Sequence, residues 1–130
     1  MSSQPRKIAI LGSTGSIGRS TLDVVRHSGG KLEVVALAAN RSVDELCRQA
    51  AEFAPQFVIV ADAGSARYCD WSALPAGTEL LVGERAVERV AADPAVDVVV
   101  AAVVGSAGLV GTWAAVKAGK TIALANKETL

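Results

Sequence analysis

Residues 8–18 read IAILGSTGSIG, and this stretch decides the fold class. The four apolar residues from Ile8 to Leu11 are followed at once by Gly12, Gly15 and Gly18, spaced three residues apart. Glycine adopts backbone angles that other residues avoid, so it permits a tight turn directly after a buried strand. Beyond the second glycine the apolar side chains recur at helical spacing, which predicts a helix that opens directly on the turn.

Outward from this stretch, apolar runs of strand length alternate with segments of helical length. Several runs are apolar at successive positions, which is typical of parallel strands covered by helices on both faces. The six predicted strands are Ile8–Leu11, Leu32–Ala38, Phe57–Val60, Thr78–Val82, Val96–Val103 and Thr121–Leu124. We therefore predict an α/β fold, a doubly wound parallel sheet of about six strands that is Rossmann-like.

The predicted helices fall between these strands and span residues 16–27, 42–53, 63–74, 84–92 and 108–118. Ser42 and Glu45 have capping-box spacing, in which the hydroxyl and the carboxylate each accept a hydrogen bond from a free backbone N–H. Pro55 ends that second helix because proline cannot continue the backbone ladder. All connections are short, so we expect a single domain over residues 1–130.

The composition excludes several classes of protein. The 130 residues are 51% hydrophobic and carry 13 basic and 13 acidic side chains, which gives no formal net charge. A nucleic-acid-binding domain usually has a basic excess, so we expect no nucleic-acid partner. Cys47 and Cys69 are too few for a disulfide scaffold, and we expect two small core residues in a reducing compartment.

One stretch of the sequence must also be considered as a possible membrane segment. Residues 98–116 include no charged side chain and are long enough to span a bilayer. Gly105, Gly108 and Gly111 interrupt this stretch, which favours a strand, a loop and a helix over a transmembrane helix. The polar residues before Ile8 lack the long apolar region of a signal peptide. We therefore expect no membrane association and a cytoplasmic location.

The glycine-rich turn has the position of a dinucleotide-binding loop, between a buried strand and the helix that follows it. Without side chains the backbone can approach a pyrophosphate, and the free N–H groups at the helix N-terminus attract the anion. Thr14 and Ser16 add hydroxyl donors. The spacing is GxxGxxG rather than the commoner GxGxxG, so the alternative of a turn that merely requires glycine stays open.

The end of the second strand indicates which dinucleotide fits. NAD-preferring domains usually place a carboxylate there, where it accepts a hydrogen bond from the ribose 2′-hydroxyl. This chain has Asn40, Arg41 and Ser42 instead, and its next carboxylate is Asp44. The arginine fork suits a 2′-phosphate, so we predict NADPH as the cofactor. The alternative is a solvated arginine ahead of a helix.

The two ends of the chain together resemble the cofactor domain of the 1-deoxy-D-xylulose 5-phosphate reductoisomerases. The first end is GSTGSIG at 12–18 with STLDVV at 20–25, and the second is AAVVGSAGL at 101–109, AGKT at 118–121 and LANKE at 124–128. The resemblance implies an oxidoreductase of isoprene biosynthesis, in the methylerythritol phosphate pathway. Such enzymes rearrange 1-deoxy-D-xylulose 5-phosphate and reduce the product with NADPH to 2-C-methyl-D-erythritol 4-phosphate.

The resemblance also implies roles for individual residues. The pyrophosphate contacts would come from Thr14, Gly15, Ser16 and Ile17, the ribose-phosphate contacts from Asn40, Arg41 and Ser42, and the nicotinamide contacts from Asn126 and Glu128. Lys127 matches the family's substrate-contacting lysine. Many members of the family have Gly-Lys-Asn where this chain has Asn40-Arg41-Ser42, so the basic character is kept although the individual contacts differ.

In this family a divalent metal, Mg²⁺, Mn²⁺ or Co²⁺, is held by a catalytic domain that follows the cofactor domain. We expect that domain after residue 130, so no metal ligand or catalytic residue is assigned within the chain, which alone should be inactive. The whole enzyme is expected to be a homodimer. Two alternatives remain open. One is the cofactor domain of another GxxGxxG enzyme, such as a semialdehyde dehydrogenase or a dihydrodipicolinate reductase, and the other is a non-catalytic module that senses NADP(H).

Overall fold

The computed structural model describes residues 4–102 and 106–124, which include a six-stranded sheet and four α-helices. The strands are β1 (Arg6–Leu11), β2 (Leu32–Ala39), β3 (Phe57–Val60), β4 (Glu79–Val82), β5 (Val98–Ala101) and β6 (Thr121–Leu124). The helices are α1 (Ser16–Arg26), α2 (Val43–Phe53), α3 (Glu84–Ala91) and α4 (Ser106–Lys117).

The sheet is parallel throughout, and its strand order is β4-β3-β2-β1-β5-β6. The chain therefore builds one half of the sheet outward from β1, and then crosses back to place β5 on the other side of β1. In a doubly wound fold, ligands bind beyond the carboxyl ends of the strands at such a reversal. The predicted fold class is confirmed, and the glycine-rich turn lies at this reversal point.

Two layers of apolar side chains hold the helices to the sheet. On one face, Leu22 of α1 and Leu46 of α2 pack with Ile10 and Leu37, and all four are almost completely buried. On the other face, Val90 of α3 and Ala115 of α4 are buried in a second cluster that includes strand residues. Because both faces are covered, the central strands are apolar at successive positions, as the sequence pattern indicated.

The fifth strand is shorter than predicted. The apolar run from Val96 suggested an extended strand to Val103, whereas β5 covers only Val98–Ala101. The backbone N–H of Val96 donates to the carbonyl of Asp93 at 3.0 Å, so Val96 belongs to the preceding turn although its side chain is buried. Val103 lies outside the described residues.

The predicted helix over residues 63–74 was wrong. The segment forms two 3₁₀ helices, Ala63–Tyr68 and Trp71–Ala73, which are separated by two extended residues, Cys69 and Asp70. The carboxylate of Asp70 accepts a hydrogen bond from the Ser72 backbone N–H at 3.0 Å and starts the second turn. Short polar side chains favour such local turns over a continuous helix.

The sequence predicted Cys47 and Cys69 as two small core residues; Cys69 does pack against the buried cluster, but the two cysteines are paired. Cys47 on α2 and Cys69, 22 residues later, are joined in a disulfide, and both are only partly buried. The bond ties α2 to the 3₁₀ segment that follows β3. The pairing was not visible in the sequence, because it depends on how this irregular segment folds back against α2.

Within the described residues, no helix is both long enough and apolar enough to cross a membrane. The charge-free stretch at 98–116 contributes β5 and part of α4 instead.

Candidate functional site

The glycine-rich turn connects β1 to α1 at the carboxyl edge of the sheet. Gly12 has a φ angle of +89°, in the region that favours glycine, and α1 begins at Ser16 with Gly15 as its N-cap. The backbone N–H groups of Gly12 and Ser13 both donate to the carbonyl of Ala38, at 2.8 and 3.0 Å. The loop is therefore tied to the end of β2, the strand that leads into Arg41.

The last two glycines of the motif have different structural reasons. A Cβ atom on Gly18 would lie 2.2 Å from the carbonyl oxygen of Gly12, so only glycine lets α1 pack against the loop. A Cβ atom on Gly15 would meet nothing closer than the same oxygen at 3.7 Å, which is an ordinary contact. The fold itself thus requires Gly18, whereas Gly15 leaves the space above the helix N-terminus open.

No side chain of α1 or its N-cap neutralises the partial positive charge at the N-terminus of this helix. The N-cap residue offers no side-chain hydrogen bond, and the first turn of α1 contains no acidic residue. The Ser20 hydroxyl donates to the carbonyl of Ser16 at 3.0 Å, and so it turns away from the free N–H groups. The first N–H groups of a helix lack backbone partners and carry a partial positive charge, so an anion is the natural partner for this end of α1.

Gln49 of α2 makes a hydrogen bond to the glycine-rich loop. This residue was not identified from the sequence. Its side-chain amide donates to the carbonyl of Ser13 at 2.9 Å, and both residues are buried. The Ser13 hydroxyl and the Gln49 carbonyl oxygen are buried without a hydrogen-bond partner. A polar residue inside the apolar stripe of α2, directly before the buried Ala50, was the available signal for this contact.

The second predicted element of the site lies at the end of β2. Asn40, Arg41 and Ser42 are all exposed and follow the last buried strand residue, Ala39. They stand beside the glycine-rich loop, because β1 and β2 are neighbours and their carboxyl ends meet at one edge. The structure brings the two predicted anion-binding segments together.

The predicted capping box at the start of α2 was wrong. The Ser42 side chain makes no capping hydrogen bond, and the Glu45 carboxylate instead accepts two hydrogen bonds from the Arg19 guanidinium, each at 2.6 Å. These bonds hold the pKa of Glu45 below its ordinary value. A bidentate contact between the carboxylate and a permanently charged guanidinium is stronger than a hydrogen bond to a nearby backbone N–H.

A second pair of the same kind joins the two helices further along. Arg26 donates to both carboxylate oxygens of Glu52, at 2.5 and 2.7 Å, and its guanidinium lies over the Phe53 ring at 5.1 Å. The hydrogen bonds lower the pKa of Glu52 as well. α1 and α2, which each begin at one of the two predicted anion-binding segments, are therefore joined at two points.

Not every predicted site residue can be placed. Thr14, Gly15, Ser16 and Ile17 form the loop and the first turn of α1, as expected from their spacing. Asn126, Lys127 and Glu128 lie outside the described residues. Within the described ranges, no group of three acidic, histidine or cysteine side chains could hold a metal ion. The residues present there do not fit the divalent metal of the family.

Comparisons with known proteins agree with this geometry. The sequence model of the 1-deoxy-D-xylulose 5-phosphate reductoisomerase family matches residues 8–130. The reductoisomerase of Nitrosomonas europaea is 48% identical over 127 residues, which is 96% of this chain and 31% of that protein.

Two solved structures have the same fold over nearly all of the chain. A reductoisomerase from Zymomonas mobilis in complex with NADPH is 37% identical, with a TM-score of 0.84 over 98% of this chain and 33% of the other. A DOX-P reductoisomerase in complex with NADPH, fosmidomycin and magnesium is 42% identical, with a TM-score of 0.84 over 96% of this chain and 31% of the other.

The chain therefore spans about a third of the length of the proteins it matches. The family match covers both anion-binding segments as well as the late motifs that the structure does not describe. On this evidence, the chain belongs to the 1-deoxy-D-xylulose 5-phosphate reductoisomerase family.

Proposed function

We propose that this chain is the NADPH-binding domain of a 1-deoxy-D-xylulose 5-phosphate reductoisomerase. The observation that carries the proposal is the shared edge of β1 and β2. It places an uncapped helix N-terminus and an arginine side by side, and NADPH has a pyrophosphate and a 2′-phosphate to match them. Similarity to solved reductoisomerases in complex with NADPH supports the same assignment.

The pyrophosphate is proposed to lie against Thr14, Gly15, Ser16 and Ile17. Because Gly15 adds no side chain, the backbone N–H groups of the first turn can approach the anion directly. The buried Ser13 hydroxyl, which has no partner among the protein atoms described, lies in the same loop and adds a polar group beneath it. The open backbone above the loop fits an anionic cofactor.

The adenosine ribose phosphate is proposed to contact Asn40, Arg41 and Ser42. Arg41 is 77% exposed, so its guanidinium has room to turn toward an incoming phosphate. A permanently charged, planar fork can donate two parallel hydrogen bonds to phosphate oxygens. Asn40 and Ser42 add neutral donors on either side.

The nicotinamide half of the cofactor is proposed to contact Asn126 and Glu128, and Lys127 to contact the sugar phosphate. When bound, NADPH supplies the hydride for the reduction. Lys127 would offset negative charge that develops on a substrate oxygen. The metal site and the remaining substrate contacts are proposed to lie in a catalytic domain, within the two thirds of its relatives' length that this chain does not cover.

We further propose that the whole enzyme is a cytoplasmic homodimer that converts 1-deoxy-D-xylulose 5-phosphate to 2-C-methyl-D-erythritol 4-phosphate. Family membership supports the reaction.

The test is a calorimetric titration of the purified chain with NADPH and NADH, for the wild type and for Arg41→Ala. A charge-assisted hydrogen bond contributes about 1.5 to 3 kcal/mol, so NADPH affinity should fall roughly ten- to hundredfold. NADH affinity should stay nearly unchanged, because NADH has no 2′-phosphate.

The matched control is Arg89→Ala, which removes an equal charge from the last turn of α3. It should leave both affinities unchanged. Equal losses for both cofactors in Arg41→Ala would contradict the assigned role of the arginine, and absence of NADPH binding by the wild type would contradict the proposed function.

A further inference from the structure

A carboxylate stands beside Arg41, although none follows β2 directly in sequence. Asp62 comes after the end of β3, the neighbour of β2, and its Oδ2 atom lies 3.8 Å from Nε of Arg41. Sequence reasoning assigned the site no carboxylate because it considered only the residues after β2. Because β2 and β3 are paired in parallel, Asp62 after the end of β3 places a carboxylate next to Arg41.

Asp62 is held in place more firmly than its partner. Its backbone N–H donates to the carbonyl of Asn40 at 3.2 Å, which extends the contact between β2 and β3 beyond the strands. Its Oδ2 atom accepts a hydrogen bond from the Ser65 hydroxyl at 2.5 Å. The Asp62 side chain is 41% exposed, compared with 77% for Arg41. When a ligand arrives, the arginine is therefore the side chain that moves.

This arrangement has opposite consequences for the two dinucleotides. A 2′-phosphate must draw Arg41 away from Asp62 and then lie close to the carboxylate, and like charges at short range repel. A bare ribose meets no such repulsion, because a carboxylate at this edge can accept a hydrogen bond from its hydroxyl groups.

We propose that Asp62 is a specificity-determining residue that opposes Arg41 and narrows the preference for NADPH over NADH. The inference rests on the proposed function, since it concerns the same cofactor site. Asp62 acts in two ways, by holding the guanidinium in the empty site and by repelling the 2′-phosphate in the occupied one.

The experiment measures the dissociation constants of NADPH and NADH for the purified wild-type chain and for Asp62→Asn. Asparagine has nearly the same shape, and its carbonyl oxygen can still accept the Ser65 hydrogen bond. We expect NADPH to bind about three- to tenfold more tightly and NADH to bind no more tightly. An unchanged or reduced preference for NADPH overturns the inference.

The probes 2′,5′-ADP and 5′-AMP isolate the phosphate, because they differ only in that group near Arg41. The gain in Asp62→Asn should appear with 2′,5′-ADP and not with 5′-AMP. A gain of equal size with both probes contradicts the inference, since the effect would then not concern the 2′-phosphate. Glu33→Gln, which removes an exposed carboxylate from β2 near the opposite edge of the sheet, serves as the charge control.

Arg41→Ala combined with Asp62→Asn completes a double-mutant cycle. If Asp62 acts partly by holding Arg41, the gain from Asp62→Asn must be smaller without the arginine. A gain of the same size in both backgrounds contradicts that part of the inference. If Asp62→Asn does not fold, as judged by circular dichroism, Asp62→Ser replaces it with the same expected outcomes.

The two proposals fail differently. A wild-type chain that binds neither dinucleotide overturns the proposed function and the inference with it. A wild-type chain that binds NADPH, with a preference that Asp62→Asn leaves unchanged, overturns the inference alone.

Discussion

At the scale of single residues, the glycine motif combines a requirement of the fold with one of the ligand. Gly15→Val should leave the chain folded, because a Cβ atom there meets only an ordinary contact at 3.7 Å. Its branched carbons would stand where the pyrophosphate approaches, so NADPH affinity should fall by at least about tenfold. Circular dichroism and calorimetric titration measure the two properties separately.

Gly18→Ala is the complementary variant. Its Cβ atom would lie 2.2 Å from a backbone oxygen, so the loop or the helix must shift. Overpacking of this kind costs about 1 to 3 kcal/mol in the free energy of unfolding. The assignment of the two glycines would be wrong if Gly15→Val bound NADPH as well as the wild type, or if Gly18→Ala unfolded at the same urea concentration.

Residues could be predicted from sequence where their role depends on chain neighbours. Arg41 was predicted to contact the cofactor in this way, because it follows the end of β2 and no carboxylate adjoins it in sequence, and this role stays a prediction. Asp62 and Gln49 reach the site from another strand and from a helix, so their contacts depend on tertiary packing. The predicted capping role of Glu45 was wrong for the same reason, because its carboxylate accepts hydrogen bonds from Arg19 of another helix.

At the scale of elements, the two glutamates that bind arginine make stability depend on pH. The folded-state pKa values of Glu45 and Glu52 lie below the ordinary value of 4.5, because Arg19 and Arg26 donate hydrogen bonds to them. The unfolded chain therefore binds protons more readily than the folded one at acidic pH. This contribution to stability is complete above pH 4.5 and is lost as the pH falls through the lowered pKa values.

We expect the double variant Glu45→Gln and Glu52→Gln to be less stable than the wild type at about pH 7, and the difference to shrink when the pH is lowered to about 2.5. Urea unfolding at both pH values measures it. The effect is small, since the pairs lie at the surface and water screens them. Glu88→Gln on α3 is the control. A difference that persisted unchanged at the acidic pH would contradict the role of these carboxylates.

Strands were predicted more accurately than the irregular segments between them. The predicted bounds of β3 and β6 match the structure, because each is a short apolar run that begins directly after a polar or charged residue, Gln56 or Lys120. The segment after β3 folded into 3₁₀ turns rather than an α-helix, since the hydrogen bond that Asp70 accepts from the Ser72 backbone and a disulfide to Cys69 determine its path. Neither contact has a periodic signature in the sequence.

At the scale of the whole molecule, this chain is proposed to bind the cofactor, and a separate catalytic domain is proposed to hold the metal. Alone, this chain should bind NADPH but turn over no 1-deoxy-D-xylulose 5-phosphate, even with Mg²⁺. Its described residues include no acidic cluster suited to the ion. In a full-length reductoisomerase that begins with this chain, Lys127→Ala should lower turnover much more than it weakens NADPH binding, because the lysine is proposed to contact substrate.

Steady-state rates and cofactor titrations of that full-length variant measure the two effects. Lys120→Ala, which removes a partly exposed lysine before β6, is the matched control. Lys127 would be an ordinary surface residue if its removal left the rate unchanged at both saturating and low substrate concentrations.

The paired arginines and glutamates also set a distance. Arg19 and Arg26 are seven residues apart on α1, and each contacts a glutamate exactly 26 residues further along the chain. Seven residues span about 10.5 Å of helix, so both contacts form in only one alignment of α1 with α2. One helix begins at the glycine loop and the other beside Arg41. Their alignment therefore fixes the spacing between the starts of the two helices, and with it the spacing between the two segments that are proposed to contact the pyrophosphate and the 2′-phosphate.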